Sequence, residues 1–152
     1  MIRNGTKEDL TQVNIIRKQV NDLHVIGEPE HFKGFTKAIE DHVNEFIDSD
    51  TKKLLVLEDD GIKAFAMIEF VDRPESNYRK AMRYLEINEF GTLEGFHGKG
   101  YGKLLMNEIR KQAQEKGYKK LNLDVWNFNE NAVKFYEKFG FEGYRTHMRF
   151  DV

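Results

Sequence analysis

Apolar positions in the first third of the chain repeat with a helical period. Across residues 6–24 (TKEDLTQVNIIRKQVNDLH) they recur every three or four residues, at Leu10, Val13, Ile16, Val20 and Leu23. This spacing predicts an amphipathic helix, with Thr6 as its N-cap and Asp9 at the third helical position. A second helix is predicted from about Thr36 to Asp48, with Ile39, Val43, Phe46 and Ile47 on its buried side. The segment between them, GEPEHFKGF, predicts a loop.

The period changes to that of strands in the middle of the chain. Residues 52–71 (KKLLVLEDDGIKAFAMIEFV) place two β-rich runs on either side of Asp59-Asp60-Gly61, which predicts a hairpin. Further strands are predicted over AMRYLEINEFGT, KKLNLDVW (strand 121–126) and FEGYRTHMRFDV at the end of the chain. Between them, one helix is predicted to run to Lys116 and stop at Gly117, with one face formed by Tyr101, Leu104, Leu105, Ile109 and Ala113. Another is predicted to run from its cap at Asn129 to Gly140.

The order of these elements predicts the fold class. With a weak strand near Ile2, the order is strand, two helices, three strands, helix, strand, helix, strand. The strands at 82–92 and 121–126 flank a helix, so they are predicted to form a parallel pair. We therefore expect an α/β (α+β) protein: a single domain over residues 1–152, with a mixed, mostly antiparallel sheet and helices on both faces.

Composition narrows the possible functions. A net charge of -2 argues against a nucleic-acid partner, and the absence of cysteine excludes disulfides, thiolate metal sites and a thiol nucleophile. The five histidines show no ligand-like pairing, so no metal is expected. No signal peptide or membrane-length apolar run is seen, and a cytoplasmic protein without a membrane partner is predicted.

The segment FHGKGYGKLLM, residues 96–106, places alternate glycines directly before a predicted helix. The first N–H groups of a helix have no internal acceptor and attract anions, and glycines allow a phosphate to approach them. Lys99 and Lys103 add positive charge. The alternative is a tight strand-to-helix connection whose glycines serve only the turn. Neither the Walker A spacing nor the Rossmann spacing is present.

Two motifs resemble the GNAT superfamily of N-acetyltransferases. HGKGYGKLLM resembles that family's acyl-CoA pyrophosphate loop, Arg/Gln-x-x-Gly-x-Gly/Ala. LDVWNFNENAVKFYEKFGFE is similar to its following segment, at Val125, Asn129, Ala132, Phe135, Tyr136, Gly140 and Phe141. The resemblance implies acetyl-CoA as co-substrate, held by His97, Gly98, Lys99, Gly100, Tyr101, Gly102 and Lys103, with the two parallel strands splayed to admit its arm. His97 stands where the family usually has Arg or Gln, which implies weaker or pH-dependent cofactor binding.

The resemblance also suggests a general acid. Tyr136 occupies the position at which the family carries it, and a phenol near pKa 10 suits a departing thiolate whose thiol has a pKa near 8.5. The alternative is a tyrosine that only packs beside Phe135. Asn129 has two compatible roles, as a helix N-cap and as a cofactor contact.

Carboxylates in the strand RYLEINEF are candidates for the general base. Glu86 and Glu89 are the joint prediction, on opposite strand faces because their spacing is odd, and Glu69 is third. The alternatives are solvent exposure or ion pairs with Arg73, Arg83, Arg145 or Arg149. The resemblance implies that main-chain N–H groups near Thr92 and Leu93 hold the oxyanion.

These expectations combine into one function: acetyl transfer from acetyl-CoA to a primary amine of a small molecule or peptide, by direct attack in a ternary complex. Acceptor specificity is expected from the first two helices, the loop between them and the loop 72–81. Glu28, Glu30, Asp41 and Glu45 would suit a cationic amine, and Phe90, Phe96, Trp126 and Phe128 belong either to an acceptor pocket or to the core. The alternatives are a non-catalytic acyl-CoA sensor or interaction module, and a nucleotide-binding domain. Pairing of the last strand across a homodimer stays open.

Overall fold

A computed structural model describes residues 1–152. Five strands form one sheet, in the order of the chain: β1 (Ile2–Asn4), β2 (Lys52–Glu58), β3 (Ile62–Arg73), β4 (Met82–Thr92) and β5 (Leu121–Leu123). The first four pair antiparallel, and β5 runs parallel to β4. The predicted mixed sheet and its parallel pair are confirmed.

Four helices accompany the sheet: α1 (Leu10–Gly27), α2 (Lys37–His42), α3 (Tyr101–Glu115) and α4 (Glu130–Phe139). A 3-10 turn, Lys7–Asp9, precedes α1, and the Asp9 carboxylate accepts a 2.8 Å hydrogen bond from the Thr6 N–H, as the predicted capping pair requires. The second predicted helix is shorter than expected, because α2 passes into a 3-10 turn at Val43–Phe46.

Strand alternation sends side chains to two apolar layers, one on each face of the sheet. One face packs under α3 through Leu55, Ala66, Ile68, Leu85, Ile87, Leu105 and Ile109. The other face packs under α1 through Val13, Ile16, Leu54, Phe65 and Met67. We call these the α3 face and the α1 face. Helices on both faces were predicted.

Two predicted apolar positions are exposed. Leu104 lies one residue, or about 100° of helix rotation, from the inward-facing Leu105. Leu23 is exposed near the end of α1, where the neighbouring His24 packs against Phe128 instead.

Two predicted strands need correction. The strand at 121–126 stops at Leu123, and the chain then leaves the sheet, so that Trp126 packs on the aromatic rings of His31 and Phe32. The final strand is wrong: residues 142–152 form no backbone hydrogen bond and belong to no sheet. Its alternating pattern has no partner strand in this chain, and Arg149 pairs with Glu28 in the loop after α1.

Candidate active site

The glycine segment forms a loop that ends at the first turn of α3. Gly98 and Gly100 have φ values of 77° and 87°, in the left-handed region that glycine adopts readily. Gly100 precedes α3 and supplies no side-chain cap. From His97 to Lys103, no backbone N–H donates to another protein group. We call residues 97–103 the phosphate loop, because free amides at a helix start favour an anion.

Side chains around the phosphate loop differ in what they can offer. The ammonium groups of Lys63 and Lys99 lie 4.8 and 5.0 Å from the centroid of the Phe96 ring, which places two cations at the loop entrance. The Tyr101 hydroxyl donates a 2.6 Å hydrogen bond to Asp59, and this bond raises the pKa of Tyr101. A Cβ at Gly102 would lie 3.3 Å from the Phe135 ring, so this glycine allows α3 to approach α4 closely. His97 and Lys103 are exposed.

One flank of β4 is open beside this loop. Residues Leu85, Glu86 and Ile87 pair with β5, but β4 continues to Thr92 after β5 has ended at Leu123. The amides on this flank therefore lack a neighbouring strand. The expected splay between the two parallel strands is present at this position.

The amides of Thr92 and Leu93 point in different directions. Leu93 donates its N–H to the Lys63 carbonyl at 2.8 Å, so this amide is already used within the protein. Thr92 pairs with Ala64 at the neighbouring register position. In an antiparallel ladder, the N–H groups of such a pair point away from each other, so the Thr92 N–H points away from β3. Of the two predicted oxyanion donors, Thr92 faces the open flank and Leu93 does not.

A bulge in β4 changes the predicted arrangement of the carboxylates. Met67 pairs with Glu89 and Ile68 with Ile87, so Asn88 is the extra residue. The insertion reverses the alternation, and Glu86 and Glu89 both lie on the α1 face. The expectation of opposite faces is wrong, because the odd spacing applies only to a regular strand.

Glu86 has no hydrogen-bond or ion-pair partner in the protein, although it is half-buried. Its register neighbour across the ladder is Glu69. Burial raises the pKa of Glu86, the negative charges of Asp124 and Glu69 raise it further, and Arg73 opposes them. A carboxylate in this environment is suited to accept a proton.

Glu89 forms an ion pair with Arg17 through both of its carboxylate oxygens. Its Oε1 and Oε2 accept hydrogen bonds from Nε and Nη2 of Arg17, at 3.0 and 2.9 Å. The Arg17 side chain is 0% exposed, and it also donates to Asn14 and to the Glu40 carbonyl. Glu89 therefore belongs to an ion pair that ties α1 to β4, and each of its carboxylate oxygens accepts a hydrogen bond from the buried Arg17.

Tyr136 lies on α4 among the Phe90, Phe135 and Phe141 rings. Burial raises its pKa to about 12. Its hydroxyl forms no hydrogen bond, yet no buried polar side-chain atom in the protein lacks a partner. The hydroxyl oxygen is therefore not fully sealed from solvent, and the residue as a whole is half-buried.

Asn129 forms the predicted cap of α4. Its Oδ1 accepts a 3.3 Å hydrogen bond from the Ala132 N–H, and its own N–H donates to the Trp126 carbonyl. The cap fixes the start of the helix that carries Tyr136.

The structure also brings together residues whose contacts the sequence did not indicate. A cluster of edge-to-face aromatic contacts joins His24, His31 and Phe32 of the first helix and its following loop to Trp126 and Phe128 beyond β5. Arg17 was missed because a lone arginine inside an apolar stripe gives no signal of its partner 72 residues away. The two aromatic segments carried a weak signal in their composition, but their contact depends on the fold.

No three His, Asp or Glu side chains lie together in a way that could hold a metal ion. No helix combines the length and apolar character that a membrane crossing needs.

Comparison with known proteins assigns the chain to a family. Residues 20–141, which include the phosphate loop, β5 and α4, match the acetyltransferase (GNAT) family. The chain belongs to this family, so the predicted family and fold are confirmed.

Two curated relatives are named as N-acetyltransferases. The chain is 36% identical over 69 residues to the uncharacterized N-acetyltransferase YycN of Bacillus subtilis, covering 45% of this chain and 42% of that protein. It is 30% identical over 108 residues to the L-ornithine N5-acetyltransferase NATA1 of Arabidopsis thaliana, covering 70% and 46%. The matched stretches span less than half the length of these relatives.

Solved structures share the fold. A mutant of the BH1408 protein from Bacillus halodurans gives a TM-score of 0.95 at 22% identity, over 100% of this chain and 99% of that one. The aminoglycoside N-acetyltransferase AAC(6')-Iy in complex with CoA gives 0.73 at 18% identity, over 100% and 98%.

Proposed function

We propose that this protein transfers an acetyl group from acetyl-CoA to a primary amine of a small molecule or peptide, by direct attack in a ternary complex. The observation that supports this most is the run of free amides in residues 97–103, next to the open flank of β4. The chain has no cysteine to form a thioester with the acetyl group, which favours direct transfer.

The phosphate loop fits the diphosphate of coenzyme A. Left-handed Gly98 and Gly100 have nothing within 4 Å of the position that a Cβ would take, so the space beside the amides is open. Lys63 and Lys99 would add favourable charge without pairing to a carboxylate. The structural relative solved with CoA is consistent with this ligand class.

Acetyl-CoA would supply an activated thioester. On the open flank of β4, the outward N–H of Thr92 would donate to the acetyl oxygen as negative charge develops on it. Between Glu86 and Glu89, we assign the general base to Glu86, because its carboxylate is unpaired and Glu89 is bound to Arg17. Glu86 would accept the amine proton directly or through water.

Tyr136 would return a proton to the leaving thiolate. Its pKa of about 12 keeps the hydroxyl protonated at neutral pH, and the hydroxyl has no competing partner. This pKa lies further from the pKa of a free thiol than the pKa of an exposed phenol does. However, burial raises the pKa of a thiol in the same cleft too, which reduces the mismatch.

The acceptor would enter on the α1 face. Glu69, Glu86 and Asp124 give this side negative charge, and the cluster around Trp126 supplies apolar walls. A cationic amine would be attracted by this negative charge and by the faces of the aromatic rings. Relatives named for L-ornithine and aminoglycosides act on amines, which supports the same substrate class.

The test is acetyl-CoA-dependent thiol release across a panel of amines, with Tyr136→Phe as the variant and Tyr118→Phe as its matched control. Tyr118 is also buried, but its hydroxyl donates to Asp72, away from the phosphate loop. We expect Tyr136→Phe to lower kcat at least about 100-fold with acetyl-CoA affinity by calorimetry nearly unchanged. Tyr118→Phe should keep kcat within about threefold.

Two results would contradict the proposal. Binding of acetyl-CoA without thiol release for any amine would indicate a sensor. Preferential binding of ATP or NAD in the same calorimeter would indicate a nucleotide-binding domain.

A further inference from the structure

Arg17 is a charged side chain enclosed in the protein, with 0% of it exposed. Its Nε and Nη2 donate to the two carboxylate oxygens of Glu89, and its Nη1 donates to Asn14 Oδ1 at 2.9 Å and to the Glu40 carbonyl at 3.2 Å. The guanidinium carbon lies 5.6 Å from the centroid of the Phe35 ring. One side chain therefore connects α1 to β4, to α2 and to the loop between the two helices.

Glu89 is the first residue after the bulge in β4. Before the bulge, Glu86 is held by its pairing with both β3 and β5. After the bulge, β5 has ended, and Thr92 lies three residues beyond Glu89 on the open flank of β4. A planar fork of two hydrogen bonds fixes the orientation of a carboxylate as well as its distance. The Arg17–Glu89 pair thus fixes the part of β4 that is supported by only one neighbouring strand.

Helix α1 packs directly on this part of β4. A Cβ at Gly91 would lie 2.9 Å from Val20 Cγ2, and Gln19 Oε1 accepts a 3.0 Å hydrogen bond from the Glu94 N–H. Apolar packing has no preferred direction, whereas the guanidinium fork of Arg17 does. The ion pair therefore adds a directional contact to a helix that already packs against the strand.

Stability alone does not explain a buried arginine at this position. Burying the guanidinium costs desolvation free energy, and replacement of such a pair by well-packed apolar residues is often neutral or stabilising. A buried pair can instead specify one geometry. The geometry that Arg17 specifies is the alignment of β4 beyond the bulge with α1 and α2.

We propose that Arg17 is a positioning residue for acetyl transfer, which holds the Thr92 N–H and the loop before α2 in place relative to Glu86. This inference rests on the proposed function, in which Thr92 and Glu86 act on the acetyl oxygen and on the amine. Displacement of reacting groups by about 1 Å can lower a rate about 100-fold. The phosphate loop forms no hydrogen bond with Arg17, so loss of the fork should leave acetyl-CoA binding intact.

The first experiment compares Arg17→Lys with the matched control Arg3→Lys. Lysine keeps the charge but cannot form the planar fork. Arg3 forms the same kind of fork with Asp9, at 2.8 and 2.9 Å, on β1 and outside the candidate site. Both variants should lower the urea midpoint, but only Arg17→Lys should also lower kcat, about tenfold, under conditions in which it stays folded. Acetyl-CoA affinity by calorimetry should stay within about twofold in both variants.

A second variant separates positioning from stability. The double substitution Arg17→Met with Glu89→Met removes both charges, so its urea midpoint should rise above that of Arg17→Lys. It also lacks the fork, so its kcat should stay about tenfold below that of the unmodified protein.

Two results would overturn this inference while the proposed function stands. One is a kcat of Arg17→Lys equal to that of Arg3→Lys, and the other is recovery of the unmodified kcat by the double variant. Absence of thiol release from the unmodified protein with every amine is a different failure, because it would overturn the proposed function and this inference with it.

Discussion

Two regions of the molecule treat their polar groups in opposite ways. The packed half, in which β1–β4 lie between α1 and α3, gives its buried charges protein partners: Arg17 pairs with Glu89, Asp9 pairs with Arg3, and Lys63 donates to the Asp60 carbonyl. The open end comprises the phosphate loop, the free flank of β4, β5, α4 and residues 142–152. Here Glu86, the Tyr136 hydroxyl and the amides of residues 97–103 have no protein partner. Since buried polar groups are normally satisfied, the unpaired groups of the half-buried Glu86 and Tyr136 are available to a ligand, as are the exposed amides of the phosphate loop.

The largest expected effect separates Glu86 from Glu89. Glu86→Gln should lower kcat about 100-fold or more and change the free energy of unfolding by less than about 1 kcal/mol. Glu89→Gln should lower the free energy of unfolding by about 3 kcal/mol, because the buried Arg17 would lose its carboxylate. Steady-state kinetics and urea unfolding of both variants measure the contrast. If Glu89→Gln abolished turnover without loss of stability, the base would be misassigned.

The same pair makes a pH prediction. Because burial, Asp124 and Glu69 raise the pKa of Glu86, this base is protonated and inactive up to a higher pH than an ordinary carboxyl. The acidic limb of the kcat/KM profile should therefore lie above the usual carboxyl range and disappear in Glu86→Gln. A profile that Glu86→Gln leaves unchanged in shape would argue against this role.

The next effect concerns stability in the packed half. The hydrogen bond and charge of Arg3 help to lower the pKa of Asp9 from 3.8 to about 2. A lowered folded-state pKa stabilises the protein above the unfolded value and is lost as pH falls, so Asp9→Asn should cost about 2 kcal/mol at pH 7. The difference from the unmodified protein should shrink between about pH 4 and pH 2. Urea unfolding at both ends of this range measures it, and a constant difference would contradict the ion-pair explanation.

The smallest expected effect concerns the glycines at the two ends of α3. Gly100 and Gly117 have φ values of 87° and 78°, so valine at either position imposes similar backbone strain. Only Gly100→Val also places a side chain beside the free amides, and it should weaken acetyl-CoA binding about tenfold, or about 1.4 kcal/mol. Gly117→Val should lose stability but keep its affinity in a calorimetric titration. Equal affinities in the two variants would place the cofactor elsewhere.

The sequence predicted the packed half well, because each element there obeys a local rule. Helical spacing located α1 and α3, and the Asp59-Asp60-Gly61 turn located the β2–β3 hairpin. In the open end, Asn129 caps α4 as predicted. Glycine spacing located the phosphate loop through backbone freedom, which is also a local property.

The missed features depend on distant contacts. The bulge at Asn88 has no local signature, so the faces of Glu86 and Glu89 could not be read from their spacing. Glu89 differs from Glu86 by its ion pair with Arg17, and α1 places this arginine against β4 although it lies 72 residues away in the sequence. Residues 142–152 have strand alternation, but whether a strand forms depends on pairing with a sheet edge, and these residues form no backbone hydrogen bond.

The bulge in β4 has a consequence for how this strand can change in length. Deleting the single extra residue, Asn88, would send the side chains on one side of the deletion to the opposite face of the sheet. Either the carboxylate that holds Arg17 or the one proposed to deprotonate the amine would then face the wrong layer. A point substitution at Glu86 or Glu89 removes one carboxylate, whereas an insertion or deletion between residues 86 and 89 would move one of the two carboxylates to the other face of the sheet.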